Sequence, residues 1–168
     1  MKFDLRRTTR YYYLKFKRLK GDPLILARGF AIGAFIGITP TIPFHTVLAL
    51  SLAFLLRGSK VTAVLATVIV SNPLTFFLQY YLSWQVGSWL FPGKHSWEDV
   101  SGLINLIVTG APYKETLAAF FHISINSLTV LVGGGIILAL PIALVLYCLS
   151  FFFFKTIQKK RREKKILY

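Results

Sequence analysis

Long apolar stretches make up most of the chain, and two of them are broken near the middle by proline and small polar residues. Leu24–Leu56 is apolar apart from Arg28, the cluster Thr39-Pro40-Thr41-Ile42-Pro43, and His45, Thr46 and Ser51 beyond it. Two prolines remove backbone donors and clash with the preceding turn, so a helix entering that cluster stops there. Val61–Val70 runs into Ser71-Asn72-Pro73, and apolar and aromatic residues then resume as far as Leu90. A third stretch, Ile123–Phe154, is interrupted near its start by Ser124, Asn126, Ser127 and Thr129. Such runs do not alternate inside and outside as barrel strands do. The pattern predicts an all-α, polytopic helical membrane protein whose helices are broken by proline.

Length decides how each stretch is used. Leu24–Leu56 would extend about 50 Å as one helix, against a hydrocarbon core of about 30 Å. A hairpin turning at Thr39–Pro43 fits better, either as two short spans or as a re-entrant loop. Irregular backbone at that depth must be sheltered by protein or line a wet cavity. Asp22 and Pro23 suit the N-cap and first position of the opening helix, and the basic turn Arg57-Gly58-Ser59-Lys60 suits a return to the side of departure. Residues 61–90 form a second broken segment ending near the interfacial Trp89. Residues 91–122 read as a polar loop, containing His95 and a candidate cap at Ser96, followed by interfacial helices. Residues 123–154 supply the last span, with Gly133–Gly135 and Pro141 as kink points. Residues 23–154 thus form a single membrane domain, between a leader at 1–22 and a tail at 155–168.

Charge fixes the expected orientation. The 168 residues are 55% hydrophobic with a formal net charge of +14, and mean hydropathy is +0.60. Soluble domains hold about 45–50% apolar residues. Fifteen of the 20 Lys and Arg lie in residues 1–20 and 155–168. Basic clusters flanking apolar segments follow the positive-inside rule, whereas a nucleic-acid surface would spread them over a folded face. Nucleic acid is therefore not an expected partner. Both termini are expected in the cytoplasm, which requires an even number of complete crossings. The partners expected are the bilayer and its anionic phospholipids, with a homo-oligomer and a membrane enzyme partner left open. The leader alternates basic and aromatic residues and is either an amphipathic interfacial helix or a plain topology signal.

Several of these residues also carry a resemblance. Gly29-Phe-Ala-Ile-Gly-Ala-Phe-Ile-Gly37, the Pro40-Thr-Ile-Pro43 turn, the return ending at Arg57, and Ser71-Asn-Pro-Leu-Thr75 with the following Tyr80-Tyr81 resemble a bacterial membrane family catalogued as domain of unknown function DUF2062. The resemblance covers roughly residues 10–155. It implies a place in the bacterial inner membrane and brings no established activity. Relatives resembling fusions to glycosyltransferase-like domains imply a setting of lipid-linked sugars.

Candidate chemistry is sparse. The acidic residues are Asp4, Asp22, Glu98, Asp99, Glu115 and Glu163, and none lies within an apolar run. With no paired carboxylates in a span, no metal-ligand spacing and no phosphate loop, the chain is not expected to be an enzyme or to hold a metal or cofactor. Cys148 reads as a small buried hydrophobe. His45 is a titratable side chain at membrane depth, which is either functional or bonded to carbonyls that the prolines free. Thr39, Thr41, His45, Ser71, Asn72 and Thr75 form the candidate substrate-binding set, and Asn72 has the same structural alternative. Gly29, Gly33 and Gly37 recur every fourth residue, a stripe suited to close helix packing. Arg28, Arg57 and Lys60 are placed to meet lipid head groups. Paired broken helices point to transport or handling of an anionic lipid or small anion between the two breaks. The alternatives are a non-catalytic scaffold for an enzyme such as a glycosyltransferase, and a module that binds anionic membrane.

Overall fold

Asp22 and Pro23 set the first boundary. In the computed structural model, which describes residues 10–11, 14–16, 19–41, 44–92, 97–122 and 125–166, all regular structure is helical. Pro43, Lys94, His95, Ser96 and most of the leader lie outside the described residues. Helix α1 spans Pro23–Ile38, and the Asp22 carboxylate accepts from the Leu24 N–H at 3.0 Å. Pro23 at the first position loses a donor that had no intrahelical partner anyway. Pro40 disfavours helical geometry at the residue before it. Thr39 is accordingly extended, at φ −68° and ψ 131°, and α1 ends.

Helix α2 (His45–Leu55) returns, and its end docks on the beginning of α1. The Ser59 N–H donates to the Ile25 carbonyl at 3.0 Å. Helix α3 (Lys60–Val70) starts there, with the Ser59 hydroxyl accepting from the Thr62 N–H. It runs alongside α1 in the same direction and comes closest where the glycines of α1 present no side chain. A Cβ on Gly29 would strike Ser59 and Thr62, one on Gly33 would strike the Ala63 carbonyl, and one on Gly37 would meet Val70 at 3.2 Å. The Thr67 hydroxyl bridges the seam, lying 3.0 Å from the Gly33 carbonyl and 2.9 Å from that of Ala63. Interhelical bonds of this kind are worth about 1 kcal/mol. Thr67→Val, which keeps the shape, is expected to lower stability in detergent by about that amount; thermal unfolding of the purified protein measures it.

Helix α4 (Pro73–Leu90) departs from α3 at 88°, and α5 (Trp97–Val108) and α6 (Tyr113–His122) follow it. Helix α7 (Ile125–Ile166) is the spine against which α1 and α4 pack. Along one half, Phe154 joins Phe16 and Leu26, while the Arg161 guanidinium donates to the Leu19 carbonyl at 2.9 Å. The Gln158 amide donates to the Gly21 carbonyl. Along the other half, Val130 and Leu131 pack with Tyr80, Trp84, Val100 and Ile104.

The course of α7 bears on three readings from the pattern. α7 is one helix of 42 residues that continues through Gly133–Gly135 and Pro141. Packing on both sides of Pro141 holds it, at Gly135 against Pro40 and at Phe154 against Phe16. Lys, Arg and Gln are good helix formers, and α7 continues through the basic tail to Ile166. Cys148 is exposed rather than buried, because it falls on the face of α7 turned from the bundle.

That face is broad. Among the described residues α7 is the one unbroken helix long and apolar enough to cross a membrane, and only 17% of its most apolar window is buried. Leu144 is 66% exposed and Phe152 64%; on α2, Phe54 is 71% exposed and Leu55 74%. A soluble core helix of such composition would be covered.

Candidate functional site

The ends of α1 and α3 lie level, Gly37 against Val70, so the two breaks open from neighbouring helix ends. In the first break the Thr39 N–H and hydroxyl both return to the Phe35 carbonyl, at 3.1 and 2.9 Å. Thr41 donates to the Thr39 carbonyl from its N–H at 2.8 Å and from its hydroxyl at 3.3 Å. The Phe44 N–H donates to the Thr41 carbonyl at 2.7 Å and leads into α2. Thr39 is buried and Thr41 half-buried.

The second break is knitted more tightly. The Asn72 amide donates to the Ile69 carbonyl at 3.0 Å, and its carbonyl oxygen accepts from the Thr75 N–H at 3.2 Å. The Val70 carbonyl, left without a helical donor, takes the Thr75 hydroxyl at 2.6 Å and the Gln79 amide at 2.9 Å. The Ser71 N–H closes back on the Thr67 carbonyl at 2.8 Å. Each of these bonds stays within its own break. Gln79 had no place in the candidate set. Its signal in the sequence was its position four residues after Thr75, on the same face of α4.

Asn72→Leu strands the Ile69 carbonyl, while the Thr75 N–H keeps its bond to the Asn72 backbone carbonyl at 3.0 Å. Leaving a buried acceptor without its partner costs about 1–3 kcal/mol, so for this half-buried bond Asn72→Leu is expected to lose about 1 kcal/mol or more of stability. Thr75→Ser, which keeps the hydroxyl, should lose much less. Thermal unfolding in a mild detergent ranks the two.

His45 is half-buried at the start of α2, and its Nδ1 has no protein partner. Pro40 reaches across to the spine, where a Cβ on Gly135 would strike its ring. Ser83 of α4 lies beside that contact, its Oγ buried and without a partner. The first break is thus wedged against α4 and α7.

At the opposite end of the hairpin stand the three cations. The Arg28 guanidinium donates to the Leu56 carbonyl at 3.0 Å. The Lys60 ammonium lies 4.8 Å from the Phe54 ring centroid, and Arg57 is exposed. Between this end and the first break, α1, α2 and α7 border a shallow, open groove of about 350 Å³, lined by Phe35, Leu52, Leu56, Leu140, Leu144 and Tyr147 among others. Its walls are almost wholly hydrocarbon.

The family described as "Uncharacterized protein conserved in bacteria (DUF2062)" matches residues 6–163, nearly the whole chain. The chain belongs to the DUF2062 family. That match takes in the glycine seam, both breaks, the three cations and the spine. A search of curated proteins and a search of solved structures each return no match.

Proposed function

We propose that this DUF2062 member is a polytopic protein of the bacterial inner membrane that handles anionic lipid at its cytoplasmic face. One observation carries the reading. Residues 19–21 and 158–161 are tied together, which sets Lys20 and the basic last turns of the C-terminal helix at one end of a largely uncovered apolar helix. Positive residues gather on the cytoplasmic side of a membrane, where anionic lipid attracts each by about 1 kcal/mol. In this reading α7 crosses the bilayer and the bent α3–α4 pair makes a second crossing. The α1–α2 hairpin enters from the cytoplasmic side and returns to it.

Handling of lipid at the side of the bundle is favoured over a polar path through it. The Thr39, Thr41, Asn72 and Thr75 side chains are engaged with backbone carbonyls of their own breaks, as buried groups in hydrocarbon must be, and His45 Nδ1 is the exception. The uncommitted surface is apolar along the bundle and cationic at one end.

Lipids retained after purification in a mild detergent test the proposal. Phosphatidylglycerol and cardiolipin should be enriched over phosphatidylethanolamine relative to the source membrane. Neutralising Lys159, Lys160 and Arg161 together should reduce that enrichment. Retained lipid of bulk composition, with a stoichiometric enzyme partner instead, would favour the scaffold. Orientation is tested separately: Lys159→Cys in a Cys148→Ser background should label only after the cells are permeabilised.

A further inference from the structure

The turn that closes α2 contains an unusual choice. The Gly58 N–H reaches the Ala53 carbonyl at 2.8 Å and the Arg57 N–H reaches that of Phe54 at 3.2 Å. This is the two-bond helix stop whose left-handed position is normally filled by glycine. Here that residue is Arg57, at φ 54°. Glycine comes one position later, where a Cβ would approach the Gly29 N–H at 3.0 Å. Steric crowding therefore accounts for Gly58, while the arginine sits against its own backbone preference. A strained backbone of this kind persists where the side chain is needed.

The surroundings show what a cation there can serve. The beginnings of α1 and α3 lie side by side at this turn, joined by the Ser59–Ile25 hydrogen bond. Helix beginnings carry partial positive charge, and this pair has Arg28, Arg57 and Lys60 beside it. Neither helix has an acidic residue in its first turn. At this end the described carboxylates are Asp22, engaged in capping α1, and Glu163 on the far turns of α7, while Lys155, Lys159 and Lys160 add further positive charge. The cationic site also joins the apolar groove directly. Leu56 lines the groove, and its carbonyl accepts from Arg28.

We propose that this groove seats one acyl chain of an anionic phospholipid, whose phosphate lies at the turn formed by Arg28, Arg57 and Lys60. The inference rests on the lipid-handling reading and assigns it a site. The groove follows α7 from Leu140 to Tyr147, about 10 Å of helix, so it holds the part of the chain nearest the glycerol. The rest of the chain extends into the bilayer. Phosphate is attracted by both helix beginnings and by the guanidinium groups, which pair with its oxygens in a fork.

Arg57→Gly is the decisive variant, because glycine suits the left-handed turn and the fold should be at least as stable. Ala31→Phe fills the groove from its α1 side. The full-length protein in mild detergent is titrated with phosphatidylglycerol or phosphatidylcholine, and native mass spectrometry counts bound lipid. Wild type should hold one phosphatidylglycerol in preference to phosphatidylcholine. Each variant should bind it about fivefold or more weakly, the loss expected for one surface cation in the case of Arg57→Gly. That variant's melting temperature should not fall. Equal retention of both lipids by wild type, or undiminished phosphatidylglycerol in both variants, would overturn the site. So would a dimer abolished by Ala31→Phe, since a second copy would then fill the groove. If wild type enriches anionic lipid and neither variant changes it, this assignment alone fails. If wild type enriches none, the lipid reading fails with it.

Discussion

Gly33→Leu is expected to leave little folded protein. A side chain at this position meets the Ala63 carbonyl and backbone of α3, not the flexible end of a neighbour. Overpacking costs about 1–3 kcal/mol where neighbours can yield. Here two helices must separate, and the Thr67 hydroxyl loses its approach to the Gly33 carbonyl. A loss beyond about 3 kcal/mol takes up much of a typical stability of about 5–15 kcal/mol. Size-exclusion chromatography in mild detergent should show the monodisperse peak replaced by aggregate. Gly37→Ala provides the graded comparison, because its Cβ meets the Val70 Cβ at 3.2 Å and the Thr67 carbonyl at 3.3 Å, contacts that a shift of a few tenths of an ångström relieves. It should cost about 1 kcal/mol or less. Wild-type behaviour of Gly33→Leu would mean that α1 and α3 do not pack along this seam.

Gly134→Leu should fail differently. Its Cβ would strike the Ser83 carbonyl and come within 2.8 Å of the Gly87 Cα, while a Cβ on Gly87 would strike the Val130 carbonyl. The two glycines form one reciprocal contact between α4 and α7. Along the rest of α7 the packing partner is α1, through Phe154, Phe16 and Leu26. Loss of the α4 contact, again about 3 kcal/mol or more, should therefore release α4–α6 and leave α1–α3 seated. Hydrogen exchange should rise in 73–122 while 23–38 stays protected; uniform loss of protection would show that the two contacts are not separable. Gly102 marks the other extreme, with nothing within 4 Å of its Cβ. Gly102→Ala in the interior of α5 should stabilise by up to about 1 kcal/mol.

The candidate site was legible where its chemistry is local. Asn72 stands next to a proline, and a proline must leave nearby carbonyls without donors, so a polar residue there has a partner within reach. What the sequence did not reveal is how completely those carbonyls are satisfied. Thr75 and Gln79 reach back to Val70 only because α4 turns away from α3 at 88°. Arg28, Arg57 and Lys60 were legible as cations near segment ends. Their shared position beside a groove depends on the hairpin closing over 28 residues, from Arg28 to Leu56.

The all-helical class, the ends of α1 and α3, the segregation of charge and the spacing of the glycine stripe were all readable along the chain. These depend on backbone donors, on dihedral preferences within a few residues and on a repeat of four. Tertiary structure alone decided that the stripe faces α3, that Gly87 and Gly134 meet, that α7 runs unbroken past Pro141, and that a groove remains beside α1. In a chain apolar on nearly every face, polarity cannot mark which side of a helix meets a neighbour. Shape decides instead, through backbones that approach only where no side chain intervenes.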